Sequence, residues 1–110
     1  MLSREHRMRR SAEFAATLAK GRRARAGTAV VYAAPAPEQS WKAGFIVSKQ
    51  VGNAVARNRV TRRLRAIAAA QVPGLAPGQN VVVRALRGTA SCNYNELSDA
   101  VRAALAKAVR

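Results

Sequence analysis

The sequence predicts an α+β fold, a two-layer sandwich of helices on a sheet. Three observations lead there. Periodic segments follow one another as helix, strand, strand, helix, strand, helix within a single domain of 110 residues. Each strand alternates so that one face is richly apolar and the other poorer. The last helix carries Leu97, Val101, Leu105 and Val109 in one stripe at i+4 spacing, so it packs on something. Much of the 49% apolar fraction is alanine and 5% of residues are aromatic, which predicts a thin core.

In chain order, Met1–Arg10 carries Arg4, Arg7, Arg9 and Arg10 with almost nothing to bury. It reads as a mobile basic arm that orders on a polyanion, or as a tail with no role. Ser11 is a credible N-cap, and Glu13 suits the first turn of a helix ending at Lys20 before Gly21. Phe14 and Leu18 are four apart and share a face, ordinarily as a core pair. Arg22–Arg25 is a basic link that can enter a short edge strand.

Thr28–Ala34 reads as a strand with Ala29, Val31 and Ala33 on one side and Val30 and Tyr32 on the other. The prolines of Pro35–Ser40 make a loop. Trp41–Ser48 is a second strand, with Phe45 and Val47 on its strong face and Gly44, Ile46 and Ser48 on its weak one. The short connection predicts an antiparallel hairpin between these two strands. Gly52 and Asn53 are a turn-and-cap pair opening a helix that runs to about Gln71, and Pro73–Gly78 breaks it. Asn80–Leu86 is a third strand, with Val81, Val83 and Ala85 opposite Val82, Arg84 and Leu86. Asn93–Glu96 has the form of a capping box with Asn in the Ser/Thr place.

The helix after Asn53 places Val60, Leu64 and Ile67 on one side, while Asn58, Arg62 and Arg65 project from the other. Arg59 and Arg63 edge that polar arc, and Arg57 falls nearer the apolar side in the first turn. Five arginines in nine residues repel one another in the free molecule. A partner with closely spaced negative charges relieves that repulsion, as nucleic-acid phosphate does. The plain alternative is a solvated basic face. The whole chain has 20 Lys+Arg against 5 Asp+Glu, a formal net charge of +15. Arginine predominates, and its planar fork pairs with phosphate and stacks on bases.

Membrane insertion is disfavoured, since no apolar run approaches the roughly 18–20 residues that span a bilayer. The single Cys92 precludes an intrachain disulfide and suits a reducing compartment, so the expected location is the cytoplasm. The poorer sheet face carries Tyr32, Ser48 or Arg84, with Phe14 nearby if the first helix leans over it. Such a face can serve as a stacking platform for single-stranded nucleic acid. Alternatively, Tyr32 and Phe14 simply complete the core. Glu5, Glu13, Glu38, Glu96 and Asp99 are scattered, and neither His6 nor Cys92 has a motif around it. With no metal-ligand spacing, phosphate-cradling glycine loop or nucleophile–base pair, no catalytic residue and no metal ligand is expected, and any chemistry belongs to a partner.

Val51–Arg65, centred on Arg57-Asn58-Arg59, resembles the signature of the bacterial ribonuclease P protein subunit. The resemblance extends to Ser11–Phe14, Val30–Tyr32, Gly44–Lys49, Asn80–Ala85 and Tyr94–Leu97, most of residues 3–110 in order. It implies a sandwich with a left-handed strand–helix–strand crossover and a short extra strand before the main pair. It also implies a non-catalytic subunit of a ribonucleoprotein endonuclease, binding one copy per ribonuclease P RNA as a monomer. Together they remove the 5′ leader of precursor tRNA, with Mg2+ held by the RNA in the assembled particle and no cofactor on the protein alone. By the same resemblance, Lys49, Asn53, Arg57, Asn58, Arg59, Arg62, Arg63 and Arg65 would face the catalytic RNA. Phe14, Tyr32, Ile46 and Ser48 would line a cleft for the leader. Two positions depart from the family pattern: Thr61 replaces a usual basic residue, and Leu18 a common second phenylalanine. The competing readings are a structured-RNA-binding or ribosome-associated protein without a processing role, an architectural DNA binder and a free-standing nuclease.

Overall fold

The computed structural model describes residues 2–36 and 41–110. Its elements are α1 (Ser11–Lys20), β1 (Arg22–Ala26), β2 (Ala29–Pro35), β3 (Ala43–Val47), α2 (Ala54–Leu75), β4 (Gln79–Ala85) and α3 (Tyr94–Ala108). Single 3-10 turns sit at Arg4–His6 and Thr89–Ser91. The short extra strand is therefore present as β1. The four strands lie in the order β1-β2-β4-β3.

That order overturns the hairpin expected between the strands at Thr28–Ala34 and Trp41–Ser48. β4 inserts between them, antiparallel to β2 and parallel to β3. The physical reason lies in Val81, Val82 and Val83, which are all at most 1% exposed. A run apolar on both faces is best buried at the centre of the sheet. The connection 36–42 is long enough to step across one strand, about 10 Å. Residues 37–40 of the proline-rich loop lie outside the described residues. The actual hairpin joins β1 to β2, with Ala26 opposite Ala29. Gly27 makes its tight turn at φ +54°, a conformation that side-chain-bearing residues avoid.

The expected strand faces hold. Ala29, Val31 and Ala33 share a surface with Val81, Val83 and Ala85, and with Ala43, Phe45 and Val47 on β3. α2 and α3 cover this surface. Val60, Leu64, Ile67 and Val72 come from one helix, Leu97, Val101, Ala104 and Leu105 from the other, all at most 2% exposed. α2 runs four residues beyond Gln71, through Pro73 to Leu75. Pro73 cannot donate to the Ala69 carbonyl, so one helical hydrogen bond is lost near the end, but the helix still closes beyond it, with Ala76 N–H donating to the Val72 carbonyl at 2.8 Å.

α1 lies on the opposite sheet face. Its N-cap is Arg10, one residue before the expected Ser11, and the Glu13 carboxylate accepts from Arg10 N–H at 3.3 Å. Leu18 is 37% exposed and Phe14 half-buried, so the two are not the core pair their spacing indicated. The amino-terminal segment, expected as a mobile basic arm over residues 1–10, is described from residue 2 and packs on the body of the fold. Leu2 is 2% exposed within the main core, Met8 is buried, and Met8 N–H donates to the Ala43 carbonyl at 2.9 Å. Two apolar side chains hidden among four arginines were enough to dock it.

Candidate nucleic-acid interface

The basic helix begins where Asn53 caps it, its Oδ1 accepting from Ala56 N–H at 2.9 Å. Lys49 is exposed in the preceding turn, which Val51 N–H closes onto the Ser48 carbonyl at 3.1 Å. Packing the Val60–Leu64–Ile67 stripe inward leaves Asn58, Arg62 and Arg65 outward. With Val55 and Thr61 they line a groove of about 400 Å³. Val55 is 72% exposed, an apolar floor beside the cations. Arg59 is exposed on the other flank. Among the described residues, Arg59, Arg62 and Arg65 form no ion pair.

Three of the sequence-selected residues have structural partners or constraints. Arg63 donates from Nη1 to the Cys92 carbonyl at 3.1 Å, tying α2 to the turn before α3. Asn53 is committed to its cap. Arg57 has its Nε buried with no hydrogen-bond partner among the described residues. Thr61 donates its hydroxyl to the Arg57 carbonyl at 2.9 Å and supplies no charge to the groove.

On the other sheet face, register sets two rows. Arg23, Tyr32, Val82 and Gly44 lie across from one another, and so do Arg25, Val30, Arg84 and Ile46. A Cβ on Gly44 would fall 2.6 Å from the Phe14 ring, so glycine there is what lets Phe14 rest on the sheet. Phe14, Tyr32 and Ile46 are thus half-buried on one surface, and Ser48 is exposed just past the end of β3. The exposed Arg23, Arg25 and Arg84 belong to that surface and were not among the expected cleft residues. The Arg23-Ala24-Arg25-Ala26 alternation was the available signal, since it is the period of a strand with one charged face.

The carboxylate nearest this region is not free. Glu13 Oε2 pairs with Lys42 Nζ at 2.9 Å. The Lys42 hydrogen bond, helped by the Arg10 backbone N–H, holds the Glu13 carboxyl below its ordinary value, against burial, which pushes it up. Glu96 is likewise taken, by the reciprocal cap with Asn93 at 2.8 and 3.0 Å. No helix among the described residues is long and apolar enough to cross a membrane.

This α+β architecture is that of the ribonuclease P proteins. The chain superposes on the RNase P protein of Staphylococcus aureus with a TM-score of 0.83, 24% identity, and coverage of 96% and 98% of the two chains. For the RNase P protein of Thermotoga maritima the TM-score is 0.80 at 18% identity, covering 92% and 96%. At such identities the likeness speaks for the fold. The family model described as Ribonuclease P matches residues 2–109, and the chain belongs to that family. It is 40% identical to the ribonuclease P protein component of Clavibacter michiganensis over all of this chain and 98% of that one. Its identity to the component from Mycolicibacterium vanbaalenii is 46%, covering 96% and 91%.

Proposed function

We propose that this chain is the protein component of ribonuclease P, acting in tRNA 5′ processing by binding the catalytic RNA and the leader of precursor tRNA. Family membership supports the assignment to that enzyme. The observation that carries the RNA-binding role is the groove on α2, where Arg62, Arg65 and Asn58 face outward without a counter-ion among the described residues. Clustered guanidinium groups gain by binding phosphate and releasing condensed counterions. The aromatic surface of Phe14 and Tyr32, rimmed by Arg23, Arg25 and Arg84, suits an extended single strand. Bases stack there and phosphates meet the arginines.

Hydrolysis is assigned to Mg2+ held by the RNA. This chain's residues grip and orient, and Glu13 and Glu96 serve helix ends. Mixing the protein with ribonuclease P RNA and precursor tRNA at low magnesium is the direct test. Restored cleavage is the expected result; tight RNA binding without restored cleavage would favour a passive RNA-binding protein. Phe14→Ala or Tyr32→Ala is expected to weaken precursor tRNA binding by about 1–3 kcal/mol per lost base stack and leave mature tRNA unchanged. Equal losses for both substrates would remove the leader cleft.

A further inference from the structure

Besides the groove on α2, a smaller cleft of about 210 Å³ lies where the amino-terminal segment meets that helix. Arg7, Met8, Arg9, Ala43, Phe45 and Arg65 line it. Arginines from two segments far apart in the chain line it together, Arg7 also donating from Nε to the Leu2 carbonyl at 3.3 Å, and among the described residues no carboxylate lines it. Nor does any of the three arginines form an ion pair there. Repulsion among them is held in place by neutral contacts. Leu2 is buried, Met8 N–H bonds to the Ala43 carbonyl, and the His6 ring stacks on Trp41 with centroids 4.1 Å apart. A site of concentrated positive charge with half-buried Phe45 as its wall is shaped for an anion carrying an organic group.

The cleft is also continuous with its neighbours. Arg65 belongs to the groove on α2 as well. Arg7 and Arg9 also line a basin of about 510 Å³ with Arg4, Arg10 and Lys42. One of the acids in that basin, Glu13, is already paired with Lys42. A strand lying along α2 can therefore pass over Arg65 to the amino-terminal segment without leaving positive surface.

We propose that Arg7 and Arg9 of the amino-terminal segment and Arg65 of α2 form one phosphate site, so that segment and helix grip a single RNA strand together and RNA locks the segment down. This rests on the RNA-binding reading of α2. The test uses the full chain with ribonuclease P RNA, in the single variants Arg9→Gln and Arg65→Gln and their combination. Each single variant is expected to bind severalfold more weakly and to flatten the log–log salt slope by about 0.7–0.9. The double variant is expected to lose little more than either single one, because the phosphate is shared. Arg9→Lys, which keeps the charge, should retain most of the affinity.

The sole tryptophan, Trp41, reports the segment through its stack on His6. RNA should shield it from acrylamide quenching in the native chain and less so in Arg65→Gln. Additive losses in the double variant would mean separate contacts and overturn the shared site. If Arg9→Gln binds like the native chain while Arg59→Gln, on the far flank of α2, binds weakly, the site is wrong and the RNA-binding reading stands. Absence of RNA binding by the native chain would remove both.

Discussion

α2 and α3 pack side by side on the same sheet face, yet they obey opposite electrostatic rules. α3 has a reciprocal cap from Asn93 and Glu96, with Glu96 as the acid of its first turn and Lys107 as the base of its last. Each of these charges suits the helix dipole. α2 has one cap, no acid in its first turn, no base in its last, and five arginines in between. Both helices bury an equally complete apolar stripe, so tertiary packing holds α2 despite its own charge. The difference separates two tasks. α3 is composed to fold, whereas α2 tolerates repulsion that a polyanion removes.

The largest effect that would sharpen this contrast is in the shared core. Leu105→Ala, at a fully buried site on α3, is expected to destabilise the fold by about 2–5 kcal/mol in denaturant unfolding. RNA affinity, measured where the variant remains folded, should be nearly native. Next comes the exposed pair on α2. Replacing Arg59 and Arg62 together by alanine should weaken RNA binding and reduce the salt slope by about 1.4–1.8. The thermal midpoint should hold or rise as repulsion falls. A clear drop in the midpoint would show that these arginines stabilise the fold, and the contrast between the helices would fail.

The caps offer a smaller effect. Asn93→Ala and Asn53→Ala should each cost about 1 kcal/mol in denaturant unfolding, because each removes the side-chain oxygen that accepts a first-turn N–H, while the backbone N–H at position 93 still donates to Glu96. Smallest is α1, which follows the rule of α3 through Glu13. Its carboxyl is held below the ordinary 4.5 by Lys42. The stabilisation is therefore complete above that value and is lost as pH falls through the lowered one. Glu13→Gln should flatten the acid limb of midpoint against pH as pH falls below about 4.5, with little change at neutrality. An unchanged acid limb would mean the pair contributes nothing.

Local order and periodicity made much of the molecule legible in advance. The face assignments of all three expected strands, the start of α2 at Asn53, the cap and stripe of α3, and the outward arc of Asn58, Arg62 and Arg65 follow from residue type at fixed spacing. Readings that needed distant partners failed. Phe14 and Leu18 have core spacing, but Leu18 finds no cover on that side of α1. The hydrogen bond from Arg63 to the Cys92 carbonyl, 29 residues away, is likewise invisible in the spacing of the arginines.

The amino-acid sequence by itself determined the charge, the amphipathic helices, the alternation of the strands and the family. These are set by bonded neighbours and by one side chain after another. Tertiary structure alone decided that β4 enters between β2 and β3, that Leu2 anchors the amino-terminal segment, and that Arg7, Arg9 and Arg65 share a cleft. Those outcomes depend on which apolar surfaces remain to be covered once the sheet has formed, a global competition that no short window of sequence encodes.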